Sequence, residues 1–512
     1  MARIVVIGAG MGAMAAAARL AVAGHRVAVY ERSATYGGAV GRLEREGFAF
    51  DTGPGLLHLP AVYRDLFVKT GKEPLERCVR MAQVDPASRH VFADGTAVSL
   101  PNASRAGIVS ALDAALGAGA GARWGEFLNR ARDAWDRSRR PLLEEPLPAD
   151  VAPFGRDPYP AVRTGLLRRS AATLAEVGRR ELRDARLAAL LESHALAYGF
   201  DPVTAPAAAA VLPYMEQTFG TWYVAGGMRA LADAVYERCR QRGVEFVLGT
   251  EVTGVLVEDG RAVGVLPAGR EPVRADHVVA GAPLPGLYRD QVLEWESTDE
   301  WPRHQRGVPT GRVTVCLALR GAREADAVHR TVVHSADRED ELDALARGRL
   351  CERPTVTVLR PDDELLRPDA DHEAVTVTAT VAAGGAWASD NLWGTGGAAG
   401  GEPAVAAAVE AFADRMVEAA AAAVPGLRER LLWRVVRTPA DTFRETGVYQ
   451  VPGPALAGAR GALLPAANPG PVGGLYFAGG WAHPGGGLAH AGMSGALVAG
   501  LVVEGADFRG SR

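Results

Sequence analysis

Residues 4–7 read IVVI, and residues 27–30 read VAVY. Short unbroken apolar runs of this kind predict strands buried on both faces of a parallel sheet. Between them, residues 14–22 are small and apolar, with Arg19 as their one charge, and predict a closely packed helix. Farther along, the period lengthens. Leu231, Val235 and Cys239 fall four apart after Gly226-Gly227 and predict an amphipathic helix. Strands are predicted at 245–248, 251–258, 261–266 and 277–280, with a hairpin turn at Asp259-Gly260. Residues 91–100, VFADGTAVSL, predict another hairpin turning at Asp94-Gly95. Residues 105–197 read as helical, interrupted by a proline-rich stretch at 141–160. The alternation VTVCLAL at 313–319, with β-rich runs at 355–359 and 374–381, predicts a second sheet flooring a substrate cavity. Residues 404–424 predict a helix whose Glu410 and Asp414 face solvent. The chain closes on a strand at 474–478, a glycine-rich loop at 479–487 and a helix at 489–502.

This order predicts an α/β protein. A discontinuous Rossmann-like domain is expected from residues 1–70, 215–285 and 456–512. A mixed-sheet substrate domain is expected from 71–214 and 286–455, with a helical subdomain at 105–197.

A length of 512 residues is enough for two or three such domains. The net charge of −4 is small for that length, so no nucleic-acid partner is expected. The four cysteines, Cys78, Cys239, Cys316 and Cys351, are scattered. That argues against a disulfide framework or a zinc site, predicts no bound metal and fits a reducing cytoplasm. No apolar run reaches the ~18–20 residues of a membrane span.

Chemistry enters at the first turn. Gly8-Ala-Gly10-Met11-Gly12-Ala13 follows the first strand and opens the first helix, and Glu31 closes the second strand. Gly8 suits a tight turn, Gly10 lets backbone approach a pyrophosphate, and Ala13 lets helix and strand pack closely. The helix N-terminus offers free N–H groups and partial positive charge to phosphates, and Glu31 accepts from ribose hydroxyls. A dinucleotide is expected; the pattern itself does not choose between NAD and FAD.

Two later segments choose. Gly37-Gly38, Val40 and Arg42 precede Asp51-Thr-Gly53-Pro54-Gly55, and the closing loop carries Gly479, Gly480 and His483-Pro-Gly-Gly-Gly487. Together with YGFDPVTAPA, TFGTWYVAGGMRALADAV and LYFAGGWAHPGGG, these resemble the bacterial phytoene (carotenoid) desaturase family, within the flavoprotein superfamily that includes the amine oxidases. The resemblance covers most of the chain and implies non-covalent FAD. It implies that Gly37 and Gly38 lie against the pyrophosphate and ribityl chain, and that Pro54 and Gly55 lie near the isoalloxazine. It places the backbone of Val252 at the adenine, and Ala282 beside the cofactor at the end of its strand. Gly479, Gly480, Gly487 and Leu488 are expected along the ribityl chain and ring, with the last helix pointing its N-terminus at the N1–C2=O edge. There are departures. Ala39 stands where the family commonly has arginine, with Arg42 as a weak substitute, and Gly480 stands where amine-oxidase relatives often carry an acid.

The resemblance also implies the chemistry: hydride transfer from substrate to flavin N5, in a site needing aromatic and aliphatic walls more than acids and bases. No catalytic residue is assigned. His58 and His483 are expected near the ring, as packing or hydrogen-bonding residues. Phe219, Trp222 and Tyr223 are expected either to line the cavity or to pack in the core. The leading function is an FAD-dependent desaturase or isomerase of a long polyene or isoprenoid. The alternatives are a flavin oxidase or dehydrogenase of a smaller metabolite and a non-enzymatic isoprenoid escort, against which the intact phosphate and ring segments argue. No second dinucleotide fingerprint is present, so oxygen or a quinone is the expected electron acceptor.

Residues 161–191 carry seven arginines against three acids, with apolar positions four apart. Two readings stay open: a basic amphipathic helix docking on an anionic membrane surface, or a solvated helix packing its stripe on its own domain.

Overall fold

In the computed structural model, the described residues are 1–164, 167–289, 291–293, 309–383 and 402–510. The first sheet takes strands from three distant parts of the chain. β1 (Arg3–Ile7) leads into helix α1 (Met11–Val22) and β2 (Arg26–Tyr30). Helix α2 (Met228–Gln241) precedes β3 (Glu245–Val247), and β4 (His277–Ala280) follows. β5 (Leu475–Phe477) and helix α3 (Leu488–Glu504) close the unit. All five strands are parallel, in the order β3-β2-β1-β4-β5.

The apolar runs are explained by burial on both faces. Ile4 and Val6 pack with the three helices on one side. Val5 and Ile7 pack on the other, against a three-stranded antiparallel sheet formed by 252–258, 261–267 and 273–274. The helix begins at Met11, ahead of the expected 14–22, because its N-terminal turn is built from the glycine motif itself.

The small residues of α1 let α3 cross it at backbone distance. A Cβ on Gly12 would stand 2.5 Å from Gly479 Cα and 2.7 Å from the Ala491 carbonyl oxygen. A Cβ on Gly495 would stand 2.4 Å from the Gly12 carbonyl oxygen. These obstacles are main-chain atoms and cannot rotate away.

The second sheet is mixed and has seven strands, ordered Leu431–Arg437, Thr310–Arg320, His372–Ala382, Val356–Leu359, Arg330–Val333, Ser88–Val91 and Ala97–Leu100. One face packs Val313, Val315, Val375 and Val377 on the helix Glu402–Ala420, through Phe412, Met416 and Val417. Glu410 and Asp414 lie on the exposed side of that helix and pair with Arg434. The helical region packs around the buried Trp124 and Phe127.

The single helix expected over 161–191 does not form. Strands Val162–Thr164 and Leu167–Arg169 make an antiparallel hairpin. Gly165, Leu166 and the side chains of residues 163–169, including Arg163, Arg168 and Arg169, lie outside the described residues. Thr173 then caps a short helical turn, Arg183 takes a left-handed conformation (φ 51°), and Asp184 caps a new helix, Ala185–Ala197. Local capping competes with helix continuity and wins twice. Leu174, Val177, Leu182, Leu187, Leu190 and Leu191 are all in the core. Among the described residues these apolar positions therefore form no free stripe, and the continuous amphipathic helix expected to dock on a membrane does not form. No helix among the described residues is long and apolar enough to cross a membrane.

Gly495→Ala should destabilise the protein by about 1–3 kcal/mol, the usual scale of overpacking. Urea unfolding followed by circular dichroism measures this; an unchanged midpoint would show that the two helices do not need their backbone contact.

Candidate functional site

A cavity of about 1640 Å³ runs from the glycine loop after β1 to the second sheet. At its first end, Met11 and Gly12 precede the first intrahelical bond of α1, from Met14 N–H to Gly10 O, so their amides are free for a ligand. Glu31 sits at the tip of β2. Its carboxylate accepts from Ala9 N–H (2.7 Å), Ser33 N–H (2.9 Å) and Ser33 Oγ (2.7 Å), which fixes it beside the loop with lone pairs to spare. Gly37 docks on the same loop through a bridge to Gly10 and a 2.8 Å bond to Ala9 O.

Several residues position this end in roles that the sequence did not show. Arg229, at the start of α2, donates to Tyr36 O (2.7 Å) and Thr35 Oγ1 (3.0 Å) and stacks on Tyr36, clamping the loop before Gly37. Asp51 accepts from Met228 N–H (2.9 Å) and Arg229 N–H (3.3 Å) and so caps α2. Burial raises its pKa to about 6 despite those bonds. Asn468 is fully buried and donates to Phe477 O (3.1 Å) and His483 O (2.7 Å), while Ser494 Oγ accepts from Gly479 N–H (3.0 Å). Together they seat the closing loop on α3. The only available sequence signal was a lone Asn in an ordinary-looking turn, and that is too weak to find it.

At the other end the cavity meets the second sheet. Strand alternation turns the valines to the core, and Arg312, Thr314, Thr357, Thr376, Thr378 and Thr380 to the cavity. On the side wall, Glu216 forms a buried ion pair with Arg330, with His58 Nε2 3.8 Å and His194 Nε2 3.9 Å from its carboxylate. Burial alone would raise the Glu216 pKa, but the Arg330 guanidinium overrides it and holds the value at about 2. Burial keeps His58 and His194 below the ordinary histidine range, so Arg330 carries the positive charge.

Gly8, Gly10, Met11, Gly12, Glu31, Gly37, Gly38, Val40, Arg42, Pro54, Gly55, Val252, Ala282, Gly479, Gly480, Gly487 and Leu488 all line this one cavity. Ala13 is fully buried behind it, packed against Gly281. The Arg42 guanidinium is engaged with Glu44 (2.8 Å) and with the carbonyls of Gly226 and Leu365 (3.3 Å each), so it is tied to the protein. His58 reaches the cavity. His483 does not: it is buried, and Nε2 donates to Glu145 O at 2.9 Å. Of the three aromatics, Tyr223 lines the cavity and donates to Asp363 (2.7 Å). Phe219 packs on Trp135, and Trp222 lies under Arg64.

Residues 14–319 match the family described as flavin containing amine oxidoreductase. The chain belongs to that family. It is therefore an oxidoreductase with a flavin cofactor. It is 30% identical over 381 residues to a zeta-carotene-forming phytoene desaturase of Myxococcus xanthus, covering 72% of this chain and 70% of that one. It is 29% identical over 363 residues to a 4,4'-diapolycopene oxygenase of a Methylomonas species, covering 70% and 71%. Its fold matches the crystal structure of an oxidoreductase from Methanosarcina mazei with a TM-score of 0.62 at 17% identity, over 97% of this chain and 99% of that one. Within this flavoenzyme family, the carotenoid-desaturase resemblance read from the sequence agrees with these relatives.

Glu216→Gln should cost about 3–5 kcal/mol at neutral pH, because it leaves Arg330 buried without its counter-charge. The folded pKa of Glu216 is depressed. The pair's stabilisation is therefore complete above the unfolded value near 4.5 and is lost as pH falls towards about 2. The stability gap between wild type and variant should narrow across that acid window in urea unfolding. A gap independent of pH would contradict the assignment of charge to Glu216.

Proposed function

We propose that the protein is a dehydrogenase of a long conjugated isoprenoid, with FAD as its non-covalent flavin. The observation that carries this reading is one continuous cavity joining the dinucleotide loop to the second sheet. At about 1640 Å³ it exceeds the ~300–1000 Å³ of ordinary ligand pockets and leaves room for a dinucleotide and a second molecule.

The residues fit FAD. Glu31 is placed for the ribose hydroxyls, and the free amides of Met11 and Gly12 for the pyrophosphate. The loop at Gly37, Gly38 and Val40 would cover the phosphates, and Val252 would face the adenine. Pro54, Gly55, Gly479 and Gly480 would line the ring and ribityl chain. When bound, flavin supplies the acceptor for a hydride from a substrate C–H bond.

The chain's own part is to hold the substrate and exclude water. α3 begins at Leu488, and its first bond runs from Ala491 N–H to Gly487 O. The amides of Leu488, Ala489 and His490 therefore present partial positive charge at the cavity. Leu56, Leu196, Met215, Leu359 and Leu366 supply apolar wall. No catalytic base is assigned: Glu216 is committed to its ion pair with Arg330. A second reading, oxidation of a smaller oxygen-bearing metabolite, is favoured by the threonines of the floor.

The purified protein should be yellow and release FAD on acid denaturation. Glu31→Ala should weaken FAD binding by about 1–3 kcal/mol. Anaerobic addition of a partly saturated, phytoene-type polyene in detergent should bleach the flavin and yield a product with a longer conjugated system. A colourless protein that cannot be reconstituted with FAD would refute the cofactor assignment. A yellow protein unreduced by any polyene would refute the substrate class.

A further inference from the structure

Among the described residues, the cavity floor holds a cation without a carboxylate partner. Arg312 donates to the Ala197 carbonyl oxygen. It has no carboxylate partner among the described residues. The other half-buried or buried arginines of the cavity all have one: Arg42 with Glu44, Arg229 with Asp233, Arg330 with Glu216, and Arg437 with Glu445. Burial draws the Arg312 pKa below the usual arginine value, as expected for a guanidinium short of compensation.

The surroundings are polar in an ordered way. Thr314 lies opposite Thr378, and Thr378 lies opposite Thr357, so three threonines stand in a row across adjacent strands. Thr380 lies opposite Arg312 in the next row. The hydroxyls of Thr314, Thr357, Thr376 and Thr378 have no hydrogen-bond partner among the described residues, whereas Thr380 donates to Leu196 O. A plain hydrocarbon pressed on this floor would strip water from four hydroxyls and a guanidinium and give nothing in return. Valine at the same positions would have served a hydrocarbon better, and the opposite face of the same strands is valine.

We propose that the substrate carries a carboxylate, seated on Arg312 and the threonine row, while its apolar chain extends along the leucine and methionine wall. The proposal rests on the dehydrogenase reading above and deepens it. The Arg312 N–H groups not engaged by Ala197 match the planar, two-oxygen geometry of a carboxylate, and threonine hydroxyls donate to the remaining lone pairs. Arg312 donates to the carbonyl of Ala197, and the ring of the next residue, Tyr198, has its Cε1 3.9 Å from the position of a Cβ on Gly487, at the start of α3.

The test is equilibrium dialysis of the flavin-loaded protein against all-trans-retinoate and its methyl ester, two polyenes differing only in the charged end. The acid should bind at least about tenfold more tightly, the scale of one charge-assisted hydrogen bond. Arg312→Gln should remove that preference and leave ester binding unchanged, and Arg312→Lys should retain part of it. Thr378→Val, isosteric in the same fold, should weaken the acid severalfold more than the ester, and it decides the matter even if Arg312→Gln fails to fold. Equal binding of acid and ester by the wild type, or equal weakening of both by the variants, would overturn the anchor and leave the dehydrogenase reading standing. Binding of neither probe by protein that keeps its flavin spectrum would overturn both.

Discussion

The main-chain contact between the first and last helices is the constraint on which the site depends. Gly12 and Gly495 meet with no side chain between them, and Gly479 touches the same point. This brings two segments more than four hundred residues apart into one wall, so that the amides opening α1 and those opening α3 face the same cavity. A single methyl group at the crossing would separate them. The alanines that follow on α1 serve the same close approach, and the buried Asn468 and Ser494 hold the closing loop in place on α3.

Much of the first domain was legible because its signals are local. The strand–glycine–helix–strand–acid order at residues 4–31 needs no tertiary information, and neither does the glycine loop at 479–487. What the sequence could not supply was competition between local and distant preferences. The arginine-rich stretch at 161–191 has helical spacing, yet Thr173 and Asp184 cap separate helices, and the core takes its leucines. Arg42 sat near the expected phosphate position, but the carbonyls of Gly226 and Leu365 come from remote chain, and nothing local announces them. His483 was near the ring in sequence terms, and the Glu145 carbonyl turns it away. The roles of Arg229 and Asp51 were hidden for the same reason: each acts across more than 170 residues.

The second sheet shows how one strand sequence builds two environments. Period-two alternation gives valine to the core and threonine to the cavity, with Arg312 among the threonines. The cavity therefore has an apolar wall and a polar floor. The buried Glu216–Arg330 pair, flanked by two neutral histidines, is satisfied internally. Among the described residues Arg312 has no such carboxylate partner, and this contrast is what the proposed substrate anchor rests on.

The central claim is that both chain ends grip one flavin. Hydrogen exchange at the backbone amides of residues 11–13 and 488–490, followed with and without FAD, tests it most directly. The account predicts that exchange at both sets slows together, in proportion to flavin occupancy. Slowing at one set, with the other unchanged at full occupancy, would contradict it.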